Sequence, residues 1–352
     1  MIDAGDMMRR LALNAVSYGG LDRLARPLLG GVGVILMLHR VTADPGSATG
    51  ANRHLAITPD FLDAVLQDMK AAGFEFLTLD DTLDRLAQAP GDRRFATVTA
   101  DDGYRDNLLE ALPVLEKHQA PMTIYIAPGL IDGVVDLWWE VVEEIVNTGQ
   151  ALSLKASDGP MILDCSEPVA RAAASRHLQA FLTTEVSEED QRSVLCELAR
   201  SCGVDLEATR RRLLMDWEEI RTIAAHPLIT IGAHTVHHYS LKRLGEEQAR
   251  SEIAEAGRIL ATRLGTQPRH MAYPYGYAAA VGEREAALAK AAGYASAVTT
   301  RHGLLRPEHA RHLHALPRLS LNGRYQKLAY IRAMLSGITT PLANRGKLVV
   351  TV

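Results

Sequence analysis

Thr99-Ala100-Asp101-Asp102-Gly103-Tyr104 is the stretch on which the reading of this chain turns. Five mostly β-forming residues, Phe95 to Thr99, lead into two adjacent carboxylates, and a helical pattern starts after the glycine. Two neighbouring Asp residues at the end of a buried strand are costly to desolvate unless a cation lies beside them. A metal accounts for one of them, and proton transfer beside that metal accounts for the other. The competing reading is that one Asp caps the following helix. The remaining polar motifs of the chain decide between the two.

Working outward, strands and helices alternate. Val32 to Leu38 is a continuous apolar run, hence a buried strand, and it ends at His39-Arg40. Thr58-Pro59-Asp60 is a helix start, with Leu62, Val65, Leu66 and Met69 as its apolar stripe and Gly73 as its stop. Phe74 to Leu79 reads as the next strand, residues 105–118 as a helix with Pro113 inside it, and Pro121 to Ala127 as another strand. Residues 133–214 break the rhythm. They read as a mostly helical insertion on one face, with Trp138-Trp139 packing it and Arg210-Arg211-Arg212 on a solvated face. The alternation then resumes: a helix over Asp216 to Ala225, a strand over Leu228 to Ile231, a helix over 241–264, strands at Arg269 to Tyr273, Ala295 to Thr299 and Leu316 to Leu321, and a closing helix over 325–336. Such alternation implies a parallel sheet, open or closed into a barrel.

Composition narrows the function classes. The 352 residues are 47% hydrophobic and 23% charged, ordinary globular values, and the net charge of -4 gives no basic field for nucleic acid. Cys165, Cys196 and Cys202 are odd in number and form no CxxC pair, which speaks against a disulfide framework and fits a reducing compartment. The first residues have no basic segment followed by an apolar one, and the longest apolar run, Leu28 to Leu38, is too short to span a bilayer, so a cytoplasmic location is expected. Residues 7–29 are amphipathic: Leu11, Leu21, Leu24 and Leu28 alternate with Arg9, Arg10, Arg23 and Arg26, interrupted at Gly19-Gly20. Docking on the chain's own domain is the expectation, with peripheral membrane contact near a lipid-linked substrate as the alternative.

Three polar motifs each follow a strand: Asp101-Asp102-Gly103, His234-Thr235-Val236-His237-His238 and Pro274-Tyr275-Gly276. In parallel α/β folds the carboxyl ends of the strands open onto one face, so motifs far apart in sequence converge there. His234 and His238 are four apart, a spacing that on one helical turn aims both imidazoles the same way. Two imidazoles and a carboxylate make a catalytic zinc set with a position left open. His237 is read as a supporting or exposed neighbour.

On these motifs the chain resembles the polysaccharide deacetylase family, whose shared domain is named for the nodulation chitooligosaccharide deacetylase. Thr99-Ala100-Asp101-Asp102-Gly103 matches the family's Thr-Phe-Asp-Asp-Gly, His234 to His238 its His-(Ser/Thr)-x-x-His, and Pro274-Tyr275-Gly276 its Pro-Tyr-Gly, over roughly residues 32–322 apart from the insert. The resemblance implies a distorted (β/α) barrel of about seven parallel strands with a helical insertion. The domains it implies are an N-terminal amphipathic segment 1–29, a barrel 30–322 interrupted by the insert 133–214, and a C-terminal helix and tail 323–352. It further implies that Asp102, His234 and His238 hold a divalent metal, usually Zn2+, that Asp101 is the general base, and that the Tyr275 backbone N–H stabilises the oxyanion as acetate leaves an N-acetylated carbohydrate. Three positions depart from the pattern. Ala100 replaces Phe, and Ala272 stands where many members carry an Arg that pairs with the base, a charge that Arg318 could supply from the last strand. There is also no Leu-x-x-His for the usual general acid, leaving His39, His312 and His314 as candidates. The alternatives are a carbohydrate-binding or regulatory protein on the same scaffold, and a sugar O-acetyl esterase.

Overall fold

The structure, a computed structural model, describes residues 10–11, 13–16, 20–44, 50–88, 91, 93–156 and 159–352. Seven parallel strands close into a barrel: β1 Gly33–Leu38, β2 Phe95–Ala100, β3 Met122–Ile126, β4 Ile229–Ala233, β5 His270–Ala272, β6 Ser296–His302 and β7 Leu316–Ser320. Each pairs with its successor in that order, and β7 returns to β1 with Leu36 opposite Leu319.

Side-chain alternation explains what fills the barrel. Ile35, Phe95, Tyr125, Ala272, Val298 and Leu316, one from each of six strands, share a single buried cluster. Gly232 serves the seventh strand, where a Cβ would stand 2.5 Å from the Tyr125 ring. Residues two and four positions further along a strand share its interior face. That puts Met37 and His39, Thr99 and Asp101, His234, Arg318 and Ser320 at or near one end of the interior. The larger core lies outside the strands. There Val34, Leu36, Leu38 and Val98 meet side chains of the surrounding helices, including Leu62, Val65, Leu66 and Met69 of the helix Pro59–Ala71. Each of those four is fully buried, contributing roughly 1.5–3 kcal/mol. Thr58 caps that helix by accepting from the Phe61 N–H (3.2 Å), with Pro59 at its first position.

Five expectations from the sequence are corrected or refined. Phe74 to Leu79 is not a barrel strand; only Glu75–Phe76 pairs, beside the start of β2. The helix expected over 105–118 begins as a wide π-type turn, Asn107–Ala111, and becomes regular at Leu112–His118, as fits Pro113 with no N–H to donate. The 241–264 helix is a short turn, Leu241–Arg243, then a helix Glu246–Leu264 that starts after Gly245. The 133–214 stretch holds a β-hairpin, Leu152–Ala156 with Gly159–Leu163, whose alternating Leu152 and Leu154 are buried. Nor is the arginine run simply solvated: Arg210 pairs with Glu207 and donates to the Ile131 carbonyl, and Arg212 pairs with Glu144.

The N-terminal segment behaves in two ways. Leu13 and Val16 are buried against Tyr325, Tyr330 and Ala333, and the Tyr330 hydroxyl donates to Asn14 Oδ1 (2.9 Å), so this part docks. The helix Leu21–Leu29 instead exposes Leu21, Leu24 and Leu28. Arg9, Gly19 and the Arg23 side chain lie outside the described residues. No helix among the described residues is long and apolar enough to cross a membrane.

Candidate active site

The three motifs meet at the carboxyl ends of the strands. Asp102, His234 and His238 are buried, and one ligand atom from each lies within 4.8 Å of the others. Asp102 Oδ1 is 3.4 Å from His234 Nε2 and 3.3 Å from His238 Nε2. His234 Nδ1 donates to the Ala272 carbonyl (2.7 Å), which leaves Nε2 as the free lone pair in the neutral ring. Asp102 Oδ1 is buried without a hydrogen-bond partner. A buried carboxylate oxygen facing two imidazole nitrogens, unsatisfied, is the arrangement a cation completes, so the residues fit a divalent metal. Burial holds the His238 imidazole down to about 4, which keeps it neutral.

The His pair does not sit on a helical turn. Residues 234–238 form a loop, and positive φ at Thr235 (58°) and His238 (57°) turns the rings to 4.9 Å between centroids. Thr235 Oγ1 accepts from the His238 N–H (3.1 Å) and secures the turn. Positive φ recurs at Asp102 (71°) and Tyr275 (61°), so four of the six described non-glycine residues with positive φ lie in these motifs. Backbone strain concentrated this way marks a functional site. Gly103 extends the turn at φ 76°, where a Cβ would also meet Ile126 Cδ1 at 2.7 Å.

Asp101 lies beside the triad rather than in it. Arg318 Nη1 and Nη2 donate to its two carboxylate oxygens at 2.7 Å each, and Nε donates to the Thr299 carbonyl (2.9 Å). Burial alone would raise the Asp101 pKa, but the Arg318 guanidinium outweighs it and holds the carboxyl well below the usual range. His39 Nε2 is 3.9 Å from Asp101 Oδ2. Of the other two histidine candidates, His314 is tied to the Tyr294 carbonyl (2.7 Å) and His312 is exposed; neither lines the cleft.

The cleft above these groups has a volume of about 570 Å³, and Asp101, Asp102, His39, His234, His238 and Tyr275 all line it. Arg318 lies beneath, fully buried. Trp138 and Trp139 form a wall of this cleft rather than only packing the insert. Trp138 Nε1 donates to the Tyr275 hydroxyl (3.0 Å), and the Trp139 ring lies 5.1 Å from that of His238. Trp139 Nε1 donates to the Tyr104 hydroxyl (2.8 Å), which donates in turn to Glu140 (3.0 Å). Glu140 and Glu143 also accept from Asn52 at 3.2 Å each, binding the 50–55 loop to the insert. His237 turns aside: its Nδ1 is 2.5 Å from Glu252 Oε1, while Glu252 Oε2 accepts the N–H groups of Val236 (3.1 Å) and His237 (2.8 Å). Sequence reading missed Glu252, Glu140 and Asn52, because a supporting carboxylate or amide inside a helix or loop has no motif of its own. It also missed the rim supplied by Arg176, Gln179 and Thr183 of the helix Pro168–Thr184 and the exposed Tyr277. The one available signal was position: Tyr104 directly follows the Asp-Asp-Gly motif and Tyr277 closely follows Pro-Tyr-Gly.

Residues 88–194 and 177–297 match the family model for polysaccharide deacetylase, a span that contains all three motifs. The chain belongs to the polysaccharide deacetylase family. As a member it is a carbohydrate N-deacetylase. Among solved structures it is similar to IcaB from Ammonifex degensii, with TM-score 0.54 and 19% identity over 86% of this chain and 97% of that one. It is also similar to the Streptococcus pyogenes deacetylase PplD, with TM-score 0.53 and 18% identity over 82% and 92%. A de-N-acetylase from Aggregatibacter actinomycetemcomitans gives TM-score 0.54 and 13% identity over 86% and 99%. At these identities the likeness is one of fold. Comparison with curated proteins gave no match.

Proposed function

We propose that this deacetylase is metal-dependent, that Asp102, His234 and His238 hold its ion, and that Asp101 is the base that activates water against the acetamide carbon of an N-acetylated sugar. The observation that carries the reading is the pairing of Asp101 with Arg318 directly beside the buried triad. Two imidazoles and one carboxylate favour zinc among divalent ions. Bound there, the ion supplies Lewis acidity, lowering the pKa of water and polarising a carbonyl.

The chain's own groups do the rest. Arg318 keeps Asp101 ionised and fixes both of its oxygens, so the carboxylate is available as a proton acceptor throughout the neutral range. The Tyr275 backbone N–H donates to the oxyanion that develops on the acetyl oxygen. His39, at the lip of the cleft near Asp101, protonates the departing amine. The Trp138–Trp139 wall and the insert's rim enclose one side of the sugar. A protein that only bound sugar would have no use for a paired carboxylate outside the ligand set.

Acetate release tests this reading on N-acetylglucosamine oligomers, a lipid-linked N-acetyl sugar and an O-acetylated sugar. The proposal expects release from an N-acetylated substrate that disappears on chelation and returns with zinc. Release that chelation leaves untouched, or release from the O-acetylated sugar alone, would overturn it.

A further inference from the structure

The helix Leu21–Leu29 is amphipathic in the wrong sense for a helix docked on a protein core. Leu21, Leu24 and Leu28 lie three and four residues apart, on one face, and are 45%, 74% and 80% exposed. Arg26, on another face, reaches back to the Ala72 carbonyl (3.4 Å). A soluble surface helix turns its apolar stripe inward; here three leucines face out together.

The charge beside that stripe is positive. Arg306 donates to the Leu29 carbonyl at the end of the helix (3.0 Å), and Arg94 lies close to Arg26. Arg94 lies over the Phe74 ring, 4.1 Å from its centroid, and burial, with a smaller contribution from the Arg26 charge, brings its pKa down to about 10. Among the described residues the three guanidiniums donate to backbone carbonyls, those of Ala72, Leu335 and Leu29, rather than to carboxylates. Exposed leucines flanked by uncompensated arginines are the features of an element that lies in the interface of an anionic bilayer.

We propose that Leu21–Leu29 is a membrane-surface helix, its leucines entering the interface of an anionic bilayer and the Arg26, Arg94 and Arg306 cluster supplying the attraction to its headgroups. The helix leads directly into the start of β1, whereas the cleft opens at the strands' other end. Six strand residues separate the two by on the order of 20 Å, so the docked chain presents its cleft away from the bilayer. On the deacetylase reading, that orientation suits sugars on glycan chains extending from the surface better than a sugar joined directly to the lipid.

Vesicle binding tests the proposal without any substrate, so it stands or falls apart from the deacetylase reading. The full chain is sedimented with vesicles of phosphatidylcholine alone and of phosphatidylcholine with about one-third phosphatidylglycerol. Binding to the anionic vesicles is expected, falling at least about tenfold for Leu24→Ser/Leu28→Ser, for Arg26→Glu and on neutral vesicles. Both leucines are exposed, so an unchanged unfolding temperature accompanies the loss. Equal binding by wild type and the double variant overturns the proposal. So does the absence of binding to the anionic vesicles; a wild-type dimer that Leu24→Ser/Leu28→Ser dissociates would then make the face a self-association surface.

Discussion

Replacing Arg318 by Met is the substitution that most sharply isolates one interaction in this site. The guanidinium is fully buried, makes both of its hydrogen bonds to Asp101 at 2.7 Å, and also donates to Thr99 Oγ1 (3.1 Å) and the Thr299 carbonyl (2.9 Å). Met fills much of the same space but leaves the buried Asp101 carboxylate without its compensating charge. Breaking a buried pair from one side costs about 3–5 kcal/mol, whereas removing both charges costs much less. Arg318→Met is therefore expected to lose about 3–5 kcal/mol, and Asp101→Asn/Arg318→Met to recover at least about 2 kcal/mol of that. Urea unfolding of chelated protein measures both, free of any contribution from bound metal. The sign with pH also follows. Asp101 is held below its unfolded value, so its contribution is present above a pH of about 4 and drains away as the pH falls below it. The gap between wild type and Arg318→Met narrows in acid. A loss under about 1 kcal/mol, or strictly additive single and double variants, would refute the reasoning.

Three further outcomes are expected. His234→Ala removes one of the three proposed ligands, so metal content by elemental analysis is expected to fall to a small fraction of wild type while the folded far-ultraviolet spectrum persists. Glu252→Gln weakens the anchor of the Val236 and His237 N–H groups, and zinc affinity by competition titration drops about tenfold; unchanged affinity would separate that anchor from the site. Gly232→Ala drives a methyl group into the Tyr125 ring inside the barrel and lowers stability to urea by about 1–3 kcal/mol.

The parts of the fold that were legible in the sequence are those governed by short-range periodicity. Apolar runs such as Val34 to Leu38 and the stripe Leu62, Val65, Leu66 and Met69 carry their burial in their spacing, and three polar motifs after strands converge because parallel strands share a carboxyl end. What was illegible depends on contacts between distant segments. The sequence suggested a helical turn for His234 to His238, because spacing of four is ambiguous; positive φ at Thr235 and His238, in a loop whose Val236 and His237 N–H groups are held by Glu252 of the helix Glu246–Leu264, produces the same convergence. Likewise, amphipathicity in residues 7–29 has no direction until a partner is known. Leu13 and Val16 meet Tyr325 and Tyr330, whereas Leu24 and Leu28 stay largely exposed. The wall role of Trp138 and Trp139 depends on where the insert folds back over the barrel, which local pattern does not encode.

Asp101→Asn in the metal-loaded protein tests the central claim most directly. The substitution keeps the shape of the residue and leaves the triad of Asp102, His234 and His238 in place. With zinc content and N-acetylated oligosaccharide binding measured alongside acetate release, the account predicts that metal and substrate are retained while kcat falls by about 10²–10⁴. Acetate release that persists at the wild-type rate in a variant with full metal content would contradict it.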